Sequence, residues 1–403
     1  MTDSTVYNQV LAILRTVLWG EERFPYQAPQ DADWDEIYKE LKAQSVQGLA
    51  MDLLSRLNPS ASRQYLTAAG RGMMHWYKIL QGQQEIVHLL RDAGIACAVV
   101  KGTSAACYYP QPASRMMGDI DLLVDPADFD RACELISEGA EYLGENYRHT
   151  EYKRNGVVVE VHRAFAIFHD AEKDALFDQR VFGALGDAEL VPLDSYTFCR
   201  LPAVENGLTL LEHINNHLHS GLGLRQIIDW MMYADRELDD AVWYRDFAPF
   251  LQKLEREALA VTVTRMCQMY LGLREDITWC AHADEELCRE LMDYILYQGN
   301  FGRKNENGSN CASEMISVTR SPLALFRVLQ QRGCINLEDA IERRPFLRHF
   351  AWMYQIGRYV RRGLATEHPV RFLRTAITRS KPQSSLLEQL GVTRIEEEGK
   401  KVQ

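Results

Sequence analysis

The sequence lacks the features of proteins that enter membranes or leave the cell. It contains no run of about eighteen uninterrupted apolar residues, and this excludes a typical membrane-spanning helix. Its first residues, Met1-Thr2-Asp3-Ser4, lack the basic and then apolar order of a signal peptide. The nine cysteines are scattered and form no C-x-x-C pair, as expected of reduced thiols. These absences predict a cytoplasmic protein without a transmembrane segment.

An excess of positive charge is absent as well, because the chain of 403 residues carries a net charge of −11. This argues against a general nucleic-acid-binding protein. Residues 343–381 depart from the average, with ten Lys or Arg residues against one acid, Glu367. We interpret residues 301–392 as a basic helical region whose apolar residues face a core. The alternative is a docking surface for an anionic partner, such as a tRNA, a phosphorylated substrate or a lipid surface.

Helical periodicity of apolar residues dominates both ends of the chain. With 46% hydrophobic residues, the chain can bury a large core and hold two or more structural units. Near the N-terminus the periodicity predicts helices over residues 7–18, 34–57 and 61–92, the last broken or kinked near Gly70-Arg71-Gly72. After Pro202 it predicts helices over residues 203–219, 224–234, 239–254, 259–273 and 285–297. We therefore predict helical regions over residues 1–94 and 202–300, and a disordered tail over residues 393–403.

Residues 95–201 differ in character, because strands alternate there with short helices. Apolar strands are predicted over residues 95–100 and 119–124, with a short helix over residues 103–109 between them. Two further strands, residues 147–153 and 157–162, read as a hairpin joined through an Asn155-Gly156 turn. The alternation predicts an α+β fold, in which a small mixed-sheet core is embedded in a mostly helical protein.

Two acids share one face of the second predicted strand. Side chains at positions i and i+2 of a strand point the same way, so Asp119 and Asp121 lie side by side while Ile120 and Leu122 point into the protein. Like charges on an otherwise apolar strand are costly unless a cation neutralises them, and a divalent metal ion is the simplest cation. Glu160 is a lone acid in another apolar strand, and we expect it to face a metal ion or a basic partner.

These motifs together resemble a known enzyme superfamily. Lys101-Gly102-Thr103, then Arg115, then Asp119-Ile120-Asp121 and the strand Val157–His162 are similar to the pattern of the DNA polymerase β-like nucleotidyltransferases. More narrowly, the chain resembles a bacterial family of uncharacterised nucleotidyltransferases, most strongly over residues 85–165. It departs from the superfamily pattern in having Thr103 where Gly or Ser is usual and Glu160 where Asp is commoner.

The resemblance implies a nucleotidyltransferase that depends on Mg²⁺ (or Mn²⁺) and moves a nucleoside monophosphate from an NTP to an acceptor, with release of pyrophosphate. The implied catalytic and metal-binding residues are Asp119 and Asp121, for the ion on the triphosphate, and Glu160, for the ion that activates the acceptor. His162 shares a face with Glu160 and contacts the metal ion or the acceptor, or it is a hydrogen-bonded structural histidine. The acceptor is a protein, a tRNA or a small molecule. The alternative function is that of a catalytically weak, nucleotide-binding regulatory protein.

Residues around the glycine turn are predicted to bind the phosphates of the nucleotide. Gly102 lets the backbone approach a phosphate closely, and the amides of Thr103 and Ser104 face the anion at the start of a helix. Lys101 reaches a phosphate or stays solvated. Arg115 pairs with triphosphate oxygens or forms an ion pair with one of the nearby acids.

A later helix carries a second group of candidate residues. His213 and His217 lie at positions i and i+4, which is metal-ligand spacing, but Ile214 stands where zinc proteases have their catalytic Glu. These histidines are packing residues or support the site indirectly. The resemblance implies that their helix, together with Arg225 and Asp229, closes the nucleotide cleft. A less favoured alternative is a metal hydrolase built on His213, His217 and Asp229.

Overall fold

The computed structural model of the protein describes residues 4–168, 170–302, 304, 326, 329–330, 333–334, 337–364 and 385–392. Helices surround a five-stranded mixed sheet, which confirms the predicted α+β class. The predicted tail, residues 393–403, and most of the predicted basic region after residue 301 lie outside the described residues. The described helices of that basic region include Glu338–Arg343 and Ala351–Leu364.

The N-terminal region is helical, as predicted. Its helices are α1 (Ser4–Trp19), α2 (Trp34–Ala43), α3 (Gln47–Leu57) and α4 (Ser62–Asp92). The helical pattern over residues 34–57 is divided into α2 and α3 by a turn at Ser45, whose φ is 57°. The break predicted near Gly70 is wrong, because α4 continues through it, while the alternative of a kink stays a prediction. Buried side chains on both sides of Gly70, such as Tyr65 and Trp76, hold this helix in place.

A five-stranded sheet forms the middle of the chain. Its strands are β1 (Cys97–Val100), β2 (Asp119–Val124), β3 (Glu141–Glu145), β4 (His149–Arg154) and β5 (Val157–His162). Their order across the sheet is β1-β2-β5-β4-β3. The strands β2 and β5 are parallel, and the other neighbours are antiparallel. The helices α5 (Gly102–Ala106) and α6 (Phe129–Ser137) follow β1 and β2. The predicted strands and the Asn155-Gly156 hairpin are confirmed.

Three strands were not predicted from the sequence. The edge strand β3 is mostly exposed, so it has no alternating apolar face to reveal it. The strands β6 (Glu189–Leu193) and β7 (Tyr196–Arg200) form a separate hairpin, and β7 packs on α4 and β1. In β6 only Leu193 is buried, so its pattern is equally weak.

The region after residue 202 is helical, as predicted, and it is preceded by α7 (Ala171–Gly183) and then by the hairpin of β6 and β7. Its helices are α8 (Ala203–Ser220), α9 (Leu224–Glu237), α10 (Asp240–Val242), α11 (Ala248–Leu254), α12 (Glu257–Leu271) and α13 (Glu285–Gln298). A π-helical turn, Trp243–Phe247, links α10 to α11. The helices α8 and α9 pack against each other.

The sheet separates two apolar cores. Ile120 and Leu122 of β2 face a core that also contains the second half of α4 and buried residues of α6. Leu123 faces the larger core, which most of the helices share. Asp119 and Asp121 lie on the same face of β2 as Leu123, and they therefore point toward the helices.

Two expectations drawn from missing sequence features can be compared with the described residues. None of the helices in the described ranges combines the length and the apolarity that crossing a lipid bilayer requires. The eight described cysteines are all free thiols, in agreement with their scattered positions in the sequence.

The contact between α8 and α9 makes Gly207 a sensitive position. A Cβ atom added at Gly207 would overlap the ring of Tyr233 on α9. Overpacking of this kind costs about 1–3 kcal/mol. We therefore expect Gly207→Ala to lower the free energy of unfolding, measured in urea, by about that amount.

Gly70 provides a matched control, because it is exposed in the middle of α4 and an added Cβ would meet no atom within 4 Å. Gly70→Ala should raise the free energy of unfolding by about 0.5–1 kcal/mol. Equal effects of the two substitutions would contradict the close packing of α8 on α9.

Candidate active site

A cavity of about 340 Å³ lies between the sheet and the helices α8 and α9. The three predicted acids, Asp119, Asp121 and Glu160, all line it, and so do Lys101 and Gly102. The structure therefore brings together residues that are spread over sixty positions of the chain.

The pairing of β2 with β5 positions the acids. In this parallel pair, Asp121 lies opposite Glu160, and Asp119 lies opposite Val158. Because alternate residues of a strand share a face, Asp119, Asp121, Glu160 and His162 all project toward the cavity.

Asp121 is buried and holds two basic partners. Its Oδ1 atom accepts hydrogen bonds from Lys101 Nζ at 2.7 Å and from His162 Nε2 at 3.1 Å. Burial penalises the charged carboxylate, but the Lys101 ammonium and the bond from His162 outweigh this and hold the pKa of Asp121 well below its ordinary value. The carboxylate is therefore ionised at neutral pH.

Glu160 belongs to a compact group with two histidines. Its Oε2 atom lies 3.3 Å from His162 Nε2 and 3.9 Å from His149 Nδ1. One ligand atom of each of these three residues lies within 4.8 Å of the others. Burial opposes ionisation of Glu160, but the hydrogen bond from His162 lowers its pKa below the ordinary value. Burial also opposes the charge on His162, yet bonds to Asp121 and Glu160 raise its pKa.

Asp119 is the acid whose negative charge is least compensated by nearby basic groups. Burial, followed by repulsion from Asp121 and Glu160, raises its pKa to about 6. At neutral pH the cavity therefore holds three anionic carboxylates. Carboxylate oxygens and imidazole nitrogens are ligands for divalent cations, so these residues fit such an ion. Among the described residues, the compact ligand group is His149, Glu160 and His162, and the two aspartates lie around it in the same cavity.

Lys101 reaches Asp121 from a strained backbone position. It stands between β1 and α5 with φ 55° and ψ −124°, a conformation that costs a non-glycine residue about 1–3 kcal/mol. Its Nζ atom also lies 5.2 Å from the centre of the Phe165 ring. Lys101 is thus paired with Asp121 and not solvated, while its predicted contact with a phosphate stays a prediction.

The hydroxyl groups of the glycine turn face away from the cavity. Thr103 Oγ1 donates to Gln83 of α4 at 2.7 Å, and Ser104 Oγ donates to the carbonyl of Lys101 at 2.8 Å. Both side chains are buried, and only Gly102 of this turn lines the cavity. Any contact of Thr103 or Ser104 with a ligand is thus limited to the backbone.

Arg115 is committed to a buried ion pair. Its Nε and Nη2 atoms donate to the two carboxylate oxygens of Asp229 at 2.7 and 2.6 Å, and Tyr109 donates to the same carboxylate at 2.7 Å. The sequence predicted an ion pair with a neighbouring acid as the alternative to phosphate binding. The observed partner is instead Asp229, on α9.

Arg225, one helical turn before Asp229, is a cation that can still donate hydrogen bonds to a ligand. It lines the cavity and donates from Nη1 to the carbonyl of Met116 at 3.2 Å, and its Nε atom has no hydrogen-bond partner. Burial and the nearby Arg115 lower its pKa. Among the described residues, Arg225 forms no ion pair within 4 Å, so it is available to an anionic ligand.

His213 and His217 line the cavity from α8. Their ring centres are 4.6 Å apart. Burial lowers the pKa of His213 well below its ordinary value and lowers that of His217 to about 3, so both rings are neutral. Within the described chain they form no metal-binding group with Asp229, which Arg115 already neutralises. The hydrolase alternative therefore has no structural support.

His149 is a site residue that sequence reasoning missed. It lies opposite His162 in the antiparallel pair β4/β5. A usable signal was present, because a two-residue turn at Asn155-Gly156 fixes the register of the hairpin and sets residue 149 against residue 162. Arg148 and Asn216 also line the cavity and were not predicted.

Comparison with known proteins adds one family match. The sequence model of a family described as "Uncharacterised nucleotidyltransferase" matches residues 30–272, more than half of the chain. That range contains the sheet and the helices α8 and α9. No curated protein matches the sequence.

Similar solved structures include two proteins of low identity. A nucleotidyltransferase-like antigenic protein from Paracoccidioides brasiliensis is 15% identical with a TM-score of 0.32, over 49% of this chain and 93% of that one. The apo form of a tRNA-processing enzyme is 12% identical with a TM-score of 0.24, over 78% of this chain and 89% of that one. Scores this low support no conclusion about function.

The ion pair between Arg115 and Asp229 should be a strong determinant of stability. Asp229→Asn would leave the Arg115 guanidinium buried without a counter-charge, which typically costs about 3–5 kcal/mol. We expect the free energy of unfolding in urea to fall by that amount.

The exposed pair Arg289–Glu286, at 2.7 Å, supplies the control. Glu286→Gln should leave the free energy of unfolding nearly unchanged, because water already solvates both Arg289 and Glu286. An equally small decrease in the free energy of unfolding of Asp229→Asn would show that the buried Arg115 guanidinium does not need Asp229 as its counter-charge.

Proposed function

Because this chain belongs to the family of uncharacterised nucleotidyltransferases, we propose that it transfers a nucleoside monophosphate from an NTP to an acceptor and releases pyrophosphate. One observation carries the proposal: Asp119, Asp121 and Glu160 line one cavity, and the strand pairing sets Asp121 opposite Glu160. Lys101 balances the charge of Asp121, and the metal ions of a bound triphosphate would balance the remaining anionic charge of this partly buried cavity.

The acids would hold divalent ions, Mg²⁺ or Mn²⁺. Asp119 and Asp121 would bind the ion that travels with the triphosphate, and Glu160 the ion on the acceptor side. When bound, such ions neutralise charge on the phosphates and lower the pKa of the attacking oxygen.

Other cavity residues would position the nucleotide. Arg225 has an unpaired guanidinium nitrogen and would bind phosphate oxygens, while Arg115 would act indirectly by fixing α9 through Asp229. Gly102 would let the triphosphate approach the backbone. Lys101 holds Asp121 ionised and would balance its charge. The helical region over residues 202–300 would close the cavity over the sheet.

The reaction breaks the phosphoanhydride bond between the α- and β-phosphates of the NTP and forms a new bond between the α-phosphorus and the acceptor. An acceptor oxygen attacks the α-phosphorus, the bond from this phosphorus to the bridging oxygen breaks, and pyrophosphate leaves with the electron pair. The acceptor loses a proton, and Glu160, which is ionised at the edge of the cavity, would take it. The acceptor would be a protein, a tRNA or a small molecule.

One observation favours a second candidate, a catalytically weak, nucleotide-binding regulatory protein. The same oxygen of Asp121 accepts from both Lys101 and His162. These bonds must rearrange if that oxygen is to bind an ion, and a protein that kept them would bind nucleotide without turning it over.

Transfer activity can be tested with each NTP, labelled on the α-phosphate, together with Mg²⁺ or Mn²⁺. We expect pyrophosphate release that falls roughly a hundredfold or more in Asp119→Ala and in Asp121→Ala. Asp130→Ala changes an exposed acid of α6 and should be as active as the parent protein. Release that survives both site substitutions would refute the proposed active site, and nucleotide binding without release would support the regulatory alternative.

The ligand group around Glu160 makes a separate prediction about metal preference. Mg²⁺ keeps water and other oxygen ligands in a near-ideal octahedron, whereas the transition-metal ion Mn²⁺ accepts an imidazole nitrogen more readily. His149→Gln should therefore weaken Mn²⁺ binding by about tenfold or more and change Mg²⁺ binding little, as measured by titration calorimetry without nucleotide.

His213→Gln is the control, because His213 is a buried histidine of the same cavity that lies outside the ligand group. It should leave Mn²⁺ affinity unchanged. Equal losses in both histidine variants would contradict a role for His149 as a ligand.

A further inference from the structure

Phe301 is an unusual residue at the edge of the cavity. The residue is 56% exposed and lines the cavity. Its backbone has φ 55° and ψ 28°, a left-handed conformation that costs a bulky residue about 1–3 kcal/mol. Exposure of the apolar side chain and strain of the backbone are both unfavourable, so contacts with the rest of the fold must hold Phe301 in this position.

The preceding residue anchors Phe301. Asn300 is fully buried, donates from Nδ2 to Ser45 at 2.7 Å and accepts at Oδ1 from Gln226 at 2.9 Å. The amide of Phe301 donates to the carbonyl of Gly221 at 2.9 Å. Gly223 allows this approach, because a Cβ there would lie 2.6 Å from the Asn300 Cβ. Buried polar contacts with α2–α3, α8 and α9 thus fix the ring at the cavity mouth.

Phe301 extends a row of rings along the helical wall. Its ring centre is 4.8 Å from that of His217, which is 4.6 Å from that of His213, and both contacts are edge-to-face. Burial keeps the two imidazoles uncharged. This wall is therefore uncharged and aromatic, in contrast to the charged side of the cavity formed by Lys101 and the acids.

We propose that this aromatic wall, His213, His217 and Phe301, is the binding site for the base of a nucleoside triphosphate, with the base stacked on Phe301. The inference rests on the proposed function, which accounts for the phosphates at the charged side of the cavity. A planar base would cover the exposed ring of Phe301, and neutral imidazoles can exchange hydrogen bonds with its edge without a cost in charge. Stacking on an aromatic residue contributes about 1–3 kcal/mol per base. The larger surface of a purine makes purine nucleotides the preferred class.

The test compares two ligands that differ in the presence of a nucleoside. One is α,β-methylene-ATP, whose reacting bond is blocked, and the other is inorganic tripolyphosphate. Both are titrated calorimetrically into the full chain with Mg²⁺. Phe301→Ala should weaken binding of the nucleotide by roughly five- to 150-fold, the equivalent of one stacked base, and leave tripolyphosphate affinity unchanged. Phe301→Trp, which keeps an aromatic ring at this position, should bind the nucleotide about as tightly as the parent protein.

Tyr244→Ala is the matched control, because Tyr244 is an aromatic residue that is 63% exposed and does not line the cavity. It should bind both ligands like the parent protein, and a thermal melt checks that each variant is folded. Unchanged nucleotide affinity in Phe301→Ala, or equal losses for the two ligands, would overturn the base-binding site. In those cases tripolyphosphate binding to the parent protein would still support the phosphate site. Failure of the parent protein to bind either ligand would overturn the proposed function together with this inference.

Discussion

The site depends on the register of one parallel pair of strands. β2 and β5 set Asp121 opposite Glu160, and His162 Nε2 contacts both carboxylates. A shift of one residue would turn the acids toward the opposite apolar core. The residues between the acids, Ile120 and Val159, are paired with each other and buried in that core. Burial of these neighbours therefore provides the free energy that holds like charges together.

A second constraint fixes the position of Arg225, the cation that lines the cavity together with the acids. Arg225 and Asp229 are four residues apart on α9, so they lie on one face of the helix. Asp229 is bound to Arg115, in the segment that leads into β2, and this buried pair ties α9 to the sheet. A structural ion pair thus sets the position of Arg225 relative to Asp119. The two arginines therefore differ in their contacts: Arg115 is paired with Asp229, whereas Arg225 keeps its Nε atom without a hydrogen-bond partner.

The local pattern of apolar and acidic residues in the sequence was sufficient to predict much of the site. Alternation on β2 predicted the shared face of Asp119 and Asp121, and the lone acid of an apolar strand marked Glu160. The partner of Arg115 could not be predicted in this way, because it lies 114 residues further along the chain and the pairing depends on how α9 packs. Similarly, the bond from Thr103 to α4 reflects tertiary contact rather than turn chemistry. Exposed strands such as β3 have too little buried surface to leave a pattern in the sequence.

The long helix α4 has a consequence for how the molecule comes apart. Its 31 residues span about 46 Å, and they belong to both cores: Tyr65 is buried with the N-terminal helices and Trp76 with the sheet. Removal of this helix would leave each core open on one side. Amide hydrogens in its centre should accordingly exchange with solvent only through global opening, and the helical and sheet regions should melt in a single transition.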